Sequence, residues 1–310
     1  MNGVLVIDKP AGPTSHDVVA VVRRAIGSTK VGHTGTLDPL ATGVLPLVIG
    51  RATRLASYMS GADKEYVARI RFGITTATYD AEGRDSGASP TAEGLAAVAA
   101  LDEGAVREAL RTFEGRFLQT PPAFSAKKVG GMPAYKLARQ DKPVEIKPVE
   151  VTVRELELAG YADGLAEVRL VSSSGFYVRS LAHDLGRRLG CGAHLEGLRR
   201  TRAGEFTLDD AVPLEAVVVG GEPAAGERLV AMDRLLTMMP AVVANDLGAK
   251  RASHGSALRP EDLALAGHGA SPRSQTSGDR RLRLLDQAGS LLGLVERRDD
   301  GLLHPLVVLV

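Results

Sequence analysis

The first two-thirds of the chain carry the alternation of apolar and polar residues that is typical of β-strands. A short apolar run over residues 4–7, ended by a charged pair, predicts a buried strand. Residues 66–72 alternate strictly, with Tyr66 on the apolar face, and predict a half-buried strand. The alternation over residues 149–158 slips by one position near Arg154, which predicts a strand with a β-bulge.

Apolar residues at helical spacing predict helices between these strands. Thr14, with Asp17 three residues further on, is typical of a capping box and precedes a predicted helix over residues 17–25. The same period of 3.6 recurs over residues 106–113 and 178–189, and a glycine lies close behind each stretch. Because strands and helices mix with few strict βαβ units, the predicted fold class is α+β.

The C-terminal part of the chain has a different pattern. A Gly- and Pro-containing stretch over residues 220–226 predicts a loop, and short apolar runs beyond residue 241 predict a small β-rich domain. At roughly 150 residues per domain, a length of 310 residues suggests about two domains. We therefore predict one domain over residues 1–239 and a second over residues 240–310.

The charge balance excludes a uniformly basic coat for nucleic acid, because 38 Lys and Arg residues stand against 37 Asp and Glu residues. Any positive surface must therefore be local. Residues 125–148 are such a segment, since six basic residues there oppose two acidic ones and glycines and prolines interrupt it. We predict a flexible, positive excursion from the core that contains Lys127, Lys128 and Lys136.

Several function classes are excluded by motifs that the sequence lacks. The single cysteine, Cys191, cannot build a disulfide framework or a cysteine zinc cluster. Walker, dinucleotide-binding, HExxH and GxSxG motifs do not occur, which argues against nucleotide hydrolases, dehydrogenases, zinc hydrolases and α/β-hydrolases. The sequence contains neither a signal peptide nor an apolar run of about 20 residues, and we expect a soluble, cytoplasmic protein without a membrane partner.

One loop-like segment, residues 31–43, stands out as a candidate for chemistry. Three glycines and one proline in thirteen residues argue against a regular helix or strand. Asp38 precedes Pro39, which favours extended backbone and would fix the direction of its carboxylate. The residues alone leave two interpretations open: a carboxylate presented as a nucleophile, or an Asx-turn in which Asp38 caps a bend.

The run GHTGTLDPLATG over residues 32–43 resembles the signature loop of the TruB family of bacterial tRNA pseudouridine-55 synthases. Further motifs resemble this family in order along residues 3 to about 206, and Phe124 departs from the tyrosine that is more common in the family. These motifs are DKP at 8–10, KEY at 64–66, DAEG at 80–83, QTPP at 119–122, SAK at 125–127, GFYVR at 175–179 and GCGAH at 190–194.

The resemblance implies a fold and an activity. The expected fold is a pseudouridine-synthase catalytic domain with a mixed or antiparallel sheet and a thumb insertion at about 125–148, followed by a small PUA-like RNA-binding domain. The expected activity is the isomerisation of uridine-55 in the T-arm loop of tRNA to pseudouridine, with no metal and no cofactor. The resemblance implies tRNA as the partner, through its T-arm stem-loop. It implies no protein partner, and we expect a monomer.

The resemblance also assigns roles to individual residues. Asp38 would be the nucleophile, and Arg179 would pair with it and keep it ionised. Tyr66 would stack on the target base, and its hydroxyl is a candidate proton acceptor. Three chemical routes remain open for the carboxylate: addition to C6 of uracil, acylal formation at C1′, or elimination through a glycal.

Substrate binding is assigned to a second set of residues. A stacked uridine must be flipped out before an enzyme can reach it, and His33 would fill the space that it leaves. Leu198 would close the pocket and Asp80 would lie at its rim, while Lys127, Lys128 and Lys136 would grip the RNA backbone. Two alternatives stand beside this interpretation: a tRNA-binding or tRNA-folding protein with an idle pocket, and a related synthase that acts on another RNA.

Overall fold

The computed structural model describes residues 1–86, 92–125, 127–129, 131–134, 137, 140, 146–264 and 280–310. The strands are β1 (Gly3–Lys9), β2 (Val31–His33), β3 (Thr42–Ile49), β4 (Lys64–Phe72), β5 (Gly115–Gln119), β6 (Lys128–Val129), β7 (Met132–Pro133), β8 (Val149–Ala162), β9 (Leu165–Ser172), β10 (Ala193–Ala203), β11 (Phe206–Thr207), β12 (Val212–Pro213), β13 (Val230–Ala231), β14 (Ala241–Val243), β15 (Arg281–Leu285), β16 (Leu291–Arg297) and β17 (Leu303–Val308). The α-helices are α1 (Ser15–Ala25), α2 (Ala56–Ser60), α3 (Ala92–Ala99), α4 (Glu103–Arg111), α5 (Val178–Arg188), α6 (Leu214–Glu227) and α7 (Asp246–Ser253).

A large mixed sheet forms the centre of the molecule. Its strand order is β12-β1-β3-β10-β4-β9-β8-β5, and β2, β11 and β13 pair with members of this path. Strand β10 is parallel to β3 and antiparallel to β4, so it brings the two together. A four-stranded sheet, β14-β15-β16-β17, forms the C-terminal part of the chain. This arrangement confirms the predicted α+β fold class.

The strongest local signals in the sequence correspond to real elements. Helix α1 begins with the predicted capping box, in which Thr14 and Asp17 satisfy each other's backbone N–H groups. Strand β4 is half-buried, with Tyr66 among its buried alternate positions. The predicted bulge is present in β8, where the register against β9 shifts between Val153 and Glu155.

Two predicted loops are partly regular structure. Residues 220–226 lie in α6, which bends at Gly221, where φ is +59°, and then continues through Pro223. The burial of Ala225 in the main core holds this second half in place despite its glycines and proline. The segment 31–43 begins in β2 and ends in β3, so only residues 34–41 form a loop.

The two faces of β1 and β3 pack into different apolar cores. Because successive strand residues point to opposite faces, Leu5 and Leu45 join the core beneath α1 and α5, while Val4 and Val44 face the other way. This second core also takes in residues of the C-terminal sheet and its tail, namely Leu291, Leu294 and Leu309. Along the part of the chain that the structure describes, no helix is long and apolar enough to cross a bilayer.

Candidate active site

The loop over residues 34–41 is held rigidly at its centre. The Ser15 hydroxyl, at the start of α1, donates to the Leu37 carbonyl at 3.0 Å and accepts from the Leu37 N–H at 2.8 Å. The Gly12 N–H donates to the Pro39 carbonyl, and the Ala41 N–H donates to the Asp38 carbonyl. These bonds fix the backbone on both sides of Asp38, so the direction of its side chain is defined.

Asp38 and Arg179 form an ion pair through both carboxylate oxygens. Nη2 of Arg179 donates to Oδ1 at 3.0 Å, and Nε lies 2.9 Å from Oδ2 without an aligned hydrogen bond. The arginine side chain is 6 % exposed and the aspartate side chain 30 %, so the carboxylate keeps an open side. A fork of this kind fixes the orientation of a carboxylate as well as its charge.

The remaining donors of Arg179 hold the guanidinium in place. Nη1 donates to the Thr78 carbonyl at 3.1 Å and lies 3.4 Å from Oδ2 of Asp80, while Nη2 also donates to the Phe124 carbonyl at 3.0 Å. Arg179 occupies the first turn of α5, where a cation opposes the helix dipole. The carboxylates and carbonyls around it compensate for that unfavourable position.

The surroundings of Asp38 shift its pKa in opposing directions. Burial raises the pKa of Asp38 above its ordinary value, the Arg179 guanidinium lowers it, and the Asp80 carboxylate raises it again. The Lys9 ammonium also lowers this pKa. The net direction is upward, so Asp38 takes up a proton at a higher pH than an exposed aspartate does.

Asp80 is buried, and its Oδ2 lies 3.4 Å from Nη1 of Arg179. Its Oδ1 accepts from the Thr78 hydroxyl and from the Glu82 N–H at 3.1 Å, so the carboxylate also caps a turn. The sequence places Asp80 near the rim of a pocket, whereas the structure buries it in the charge network with its side chain 3 % exposed.

The sheet register brings Tyr66 and Leu198 to the end of the Asp38 loop. In β10, Leu198 stands opposite Ala68 of β4, and Arg200 stands opposite Tyr66. The same stretch of β10 pairs with Thr42 at the beginning of β3, which directly follows the loop. Tyr66 and Leu198 therefore pack in the core cluster that also contains Leu37 from the loop.

His33 lies at the other end of the loop, as the last residue of β2. Its ring contacts the ring of His16 edge to face, with 5.3 Å between the centroids, and its Nδ1 is buried without a hydrogen-bond partner. Burial lowers the pKa of His33, and the nearby His16 and Arg200 lower it further. The ring is therefore uncharged at neutral pH.

The predicted basic segment is described only in part. The described residues include the short hairpin of β6 and β7, in which the Lys127 carbonyl accepts from the Ala134 N–H. Lys127 is exposed, Lys128 opens β6, and Lys136 lies outside the described residues. Binding of the RNA backbone by these lysines stays a prediction.

Lys9 is a residue of the site that has no assigned role in the sequence analysis. Although fully buried at the end of β1, it donates to the carbonyls of Pro10 at 2.9 Å, Pro39 at 3.1 Å and Ala41 at 2.7 Å. Burial lowers the pKa of Lys9 to about 8, while the Asp38 carboxylate opposes that shift. Its only signal in the sequence is the DKP motif at residues 8–10.

Gln119 and Tyr177 form a second pair that the sequence did not single out. The Gln119 side chain accepts from the Tyr177 N–H at 2.8 Å and donates to the Tyr177 carbonyl at 3.0 Å. Tyr177 is the residue that precedes α5, so this clamp fixes the helix turn that carries Arg179. Both residues lie inside the motifs QTPP and GFYVR, which would have pointed to them.

The chemistry available at this site is that of a fixed carboxylate beside a cation. Within the described ranges, no group of three or more His, Cys, Asp or Glu side chains is arranged to hold a metal ion. The arrangement can present an anion of defined direction to a reactant on its open side.

Comparison with known proteins matches two family models along the chain. Residues 23–178 match the N-terminal domain of the TruB family pseudouridylate synthases, and residues 179–239 match the C-terminal domain of tRNA pseudouridylate synthase B. The motifs quoted above from the sequence, including the Asp38 loop, fall mostly inside these two stretches.

Similar proteins and structures extend the match over the whole chain. The tRNA pseudouridine synthase B of Solibacter usitatus is 43 % identical over 310 residues and is covered completely, as is this chain. That of Symbiobacterium thermophilum is 48 % identical over 83 % of each chain. A crystal structure of a Cbf5-Nop10-Gar1 complex contains a chain with a TM-score of 0.72 and 26 % identity, covering 99 % of this chain and 85 % of that one. The chain therefore belongs to the TruB family of pseudouridylate synthases.

Proposed function

We propose that this protein converts uridine-55 in the T-arm loop of tRNA to pseudouridine, with Asp38 as the nucleophile. The observation that carries the proposal is the ion pair between Asp38 and Arg179, in which both carboxylate oxygens face one guanidinium. The names of the full-length relatives support tRNA as the substrate class. The resemblance of the Asp38 loop supports the particular uridine.

The proposed chemistry breaks the N1–C1′ bond, turns the uracil within the pocket and joins C5 to C1′. Asp38 begins this on its open side, by addition to C6, by attack at C1′ or by driving elimination. Arg179 keeps the carboxylate ionised and aimed, because a guanidinium fork favours the charged form. The proton released from C5 needs an acceptor, and N1, once free of C1′, takes up a proton, so that none is gained or lost overall. The Tyr66 hydroxyl is our candidate for receiving the C5 proton while it passes its own proton on.

Access to the base requires that the uridine leave the RNA stack. We propose that the flipped base enters the apolar region lined by Tyr66 and Leu198, and that the His33 ring occupies the vacated place. A neutral imidazole can stack there without carrying a charge between bases, and burial keeps the pKa of His33 low. Lys127, Lys128 and Lys136 would hold the phosphates of the stem-loop.

Mapping of pseudouridine by mass spectrometry tests the proposal in cells. tRNA from cells with the protein should carry the modification at position 55, and tRNA from cells that lack the gene should carry uridine. Complementation with the wild-type chain should restore the modification, and complementation with Asp38→Asn should not. Restoration by Asp38→Asn would refute the catalytic proposal, and an unmodified position 55 alongside modification of another RNA would favour a related synthase.

A binding protein with an idle pocket makes a different prediction for the purified protein. We expect the wild-type chain to release tritium from tRNA labelled at C5 of uridine, with turnover beyond one equivalent. A protein that only folds tRNA would bind this RNA and release none.

A further inference from the structure

Arg200 is a buried arginine at the centre of the large sheet. Its side chain is one of the largest fully buried side chains among the described residues, and the residue is 1 % exposed. In the register of β10, it stands between Gly43 of β3 and Tyr66 of β4. Fully buried positions of a sheet are usually occupied by apolar side chains, so the burial of the charged Arg200 side chain needs an explanation.

The guanidinium of Arg200 binds the main chain on both sides of the Asp38 loop. Nε donates to the Val44 carbonyl at 2.7 Å, behind the loop. Nη2 donates to the Gly35 carbonyl at 3.2 Å, and Nη1 donates to the Thr36 carbonyl at 3.4 Å, ahead of Asp38. One planar group therefore joins the first half of the loop to β3, the strand that follows it.

The backbone of Arg200 is also in close contact with the loop exit. A Cβ atom on Gly43 would lie 2.2 Å from the Arg200 carbonyl oxygen, and Gly43 has a φ of +99°. Only glycine can occupy such a position without displacing the strand. Side chain and main chain of Arg200 thus fix the same segment from two directions.

Among the described residues, the acceptors of Arg200 are all carbonyls, whereas Arg179 also contacts the carboxylates of Asp38 and Asp80. A buried cation without a carboxylate partner is expensive in free energy, and dipoles of the main chain have to compensate for it. It also lies close enough to Lys9 and Lys64 to lower the pKa of both ammonium groups. The free-energy cost of burying this cation has a physical reason if Arg200 must hold a backbone segment in one conformation.

We infer that Arg200 is a positioning residue for the nucleophile, which sets the place of Asp38 by joining the two ends of its loop. The inference rests on the proposed function of Asp38. It assigns to Arg200 no contact with the RNA, because its donors are directed at Gly35, Thr36 and Val44. Loss of the guanidinium should therefore lower the rate of the chemical step and leave the affinity for tRNA unchanged.

Arg200→Ala is the main test, with Arg71→Ala as its matched control. Arg71 lies on the neighbouring strand β4 and binds Glu196 at 3.0 Å and the Asp163 carbonyl at 2.9 Å, away from the Asp38 loop. We expect kcat of Arg200→Ala to fall by about a hundredfold, the loss that a displacement of about 1 Å can cause, with KM for tRNA within about twofold of wild type. Arg71→Ala should keep the wild-type kcat.

Chemical rescue separates positioning from a general loss of structure. Guanidinium chloride at millimolar concentration should restore part of the kcat of Arg200→Ala. Sodium chloride at the same concentration should restore none of it. If Arg200→Ala does not fold, Arg200→Lys takes its place, because Lys keeps the charge but lacks the planar fork of donors that joins Val44 to Gly35 and Thr36. We then expect a kcat about tenfold below wild type, again with unchanged KM.

Three results would overturn the inference: wild-type kcat in a folded Arg200 variant, a loss confined to KM, or a loss of kcat in Arg200→Ala that guanidinium does not restore. These results are distinct from failure of the proposed function. Turnover by the wild-type protein tests the proposed function, whereas the ratio of variant to wild type tests the role of Arg200.

Discussion

The two sides of Asp38 are built from different kinds of contact. On one side, its carboxylate meets the Arg179 guanidinium, which in turn contacts Asp80. On the other side, the buried cations of Lys9 and Arg200 bind main-chain carbonyls of the loop and do not bind the carboxylate itself. The first side contacts the charge of Asp38 directly, whereas the second holds the backbone in place and acts on that charge only from a distance, through Lys9.

This difference separates two properties that a nucleophile needs. A side-chain partner favours one protonation state and one rotamer of the carboxylate. Cations that hold the backbone cannot orient the carboxylate directly, but they prevent the loop from moving as a body. The two sides should therefore respond differently to substitution, in rate as well as in pH dependence.

Asp38→Asn removes the group that both sides support and should have the largest effect. The amide keeps the shape of the side chain but is no anionic nucleophile, so turnover should fall by about a thousandfold or more. Binding of tRNA should change little. Tritium release from C5-labelled tRNA measures turnover, and mass spectrometry of the protein checks that the amide has not reverted to Asp. True turnover by the amide variant would remove Asp38 from the central role.

Arg179→Lys should have the second largest effect, on the carboxylate side. Lys keeps the positive charge but loses the fork, and we expect a single-turnover rate about a hundredfold lower with unchanged tRNA affinity. Arg187→Lys, at the exposed far end of the same helix, is the control and should behave like wild type. Full activity of Arg179→Lys would mean that charge alone suffices.

Lys9→Met tests the backbone side and should lower kcat by about tenfold at neutral pH. Its pH profile should change in two ways. Loss of a cation that lowers the pKa of Asp38 should move the acid limb of kcat to higher pH. In wild type, the rate should also fall as the pH rises through about 8, where Lys9 loses its charge, and this decline should be missing in the variant. An unchanged profile would show that Lys9 has no influence on Asp38.

Asp80→Asn should move the acid limb in the opposite direction. The Asp80 carboxylate raises the pKa of Asp38, so its removal lets Asp38 stay ionised at lower pH. Activity is lost as the pH falls through the pKa of the nucleophile, and the variant should therefore keep its rate to lower pH than wild type. The kcat at neutral pH should change little. An acid limb that moves upward would contradict the assigned role of Asp80.

Replacing Lys127, Lys128 and Lys136 by Gln should leave both sides of Asp38 untouched and have the smallest effect on kcat. Each phosphate contact that is lost should reduce the slope of log affinity against log salt by about 0.7 to 0.9. Fluorescence anisotropy with labelled tRNA at several salt concentrations measures this slope. A double control, Arg111→Gln with Arg116→Gln, removes exposed charges elsewhere and should keep the wild-type slope. A wild-type slope in the lysine variant would show that this segment does not bind the phosphates of the tRNA.

Strands β4 and β10 are neighbours, yet only β4 could be predicted from the sequence. Strand β4 buries alternate apolar side chains in a core on one face, and this leaves a period of two in its sequence. Strand β10 contains Arg199 and Arg200, whose charges are satisfied by Asp8 and by loop carbonyls far away in the chain. Such partners are set by sheet register, which a pattern of apolar residues does not contain.

The same reason limits what the sequence could say about the site. Asp38 and Arg179 were expected from the resemblance of their motifs, and the structure brings their side chains together. Lys9 lies in a motif as well, but its partners are carbonyls, and a carbonyl is present at every residue. Only the folded chain shows which carbonyls a buried cation reaches. The contacts of Lys9 and Arg200 with the backbone of the Asp38 loop therefore could not be predicted from the sequence.

The shared apolar core behind β1 and β3 has a consequence for how the chain can be divided. Val4, Val44 and Leu291 lie in one cluster, so strands that support the Asp38 loop on one face support the C-terminal sheet on the other. A fragment cut near residue 240 would expose this face to water, and an exposed apolar sheet face invites aggregation. We therefore expect the two sheets to melt as one cooperative unit, and a mutation in the C-terminal tail to weaken the catalytic half through this shared core.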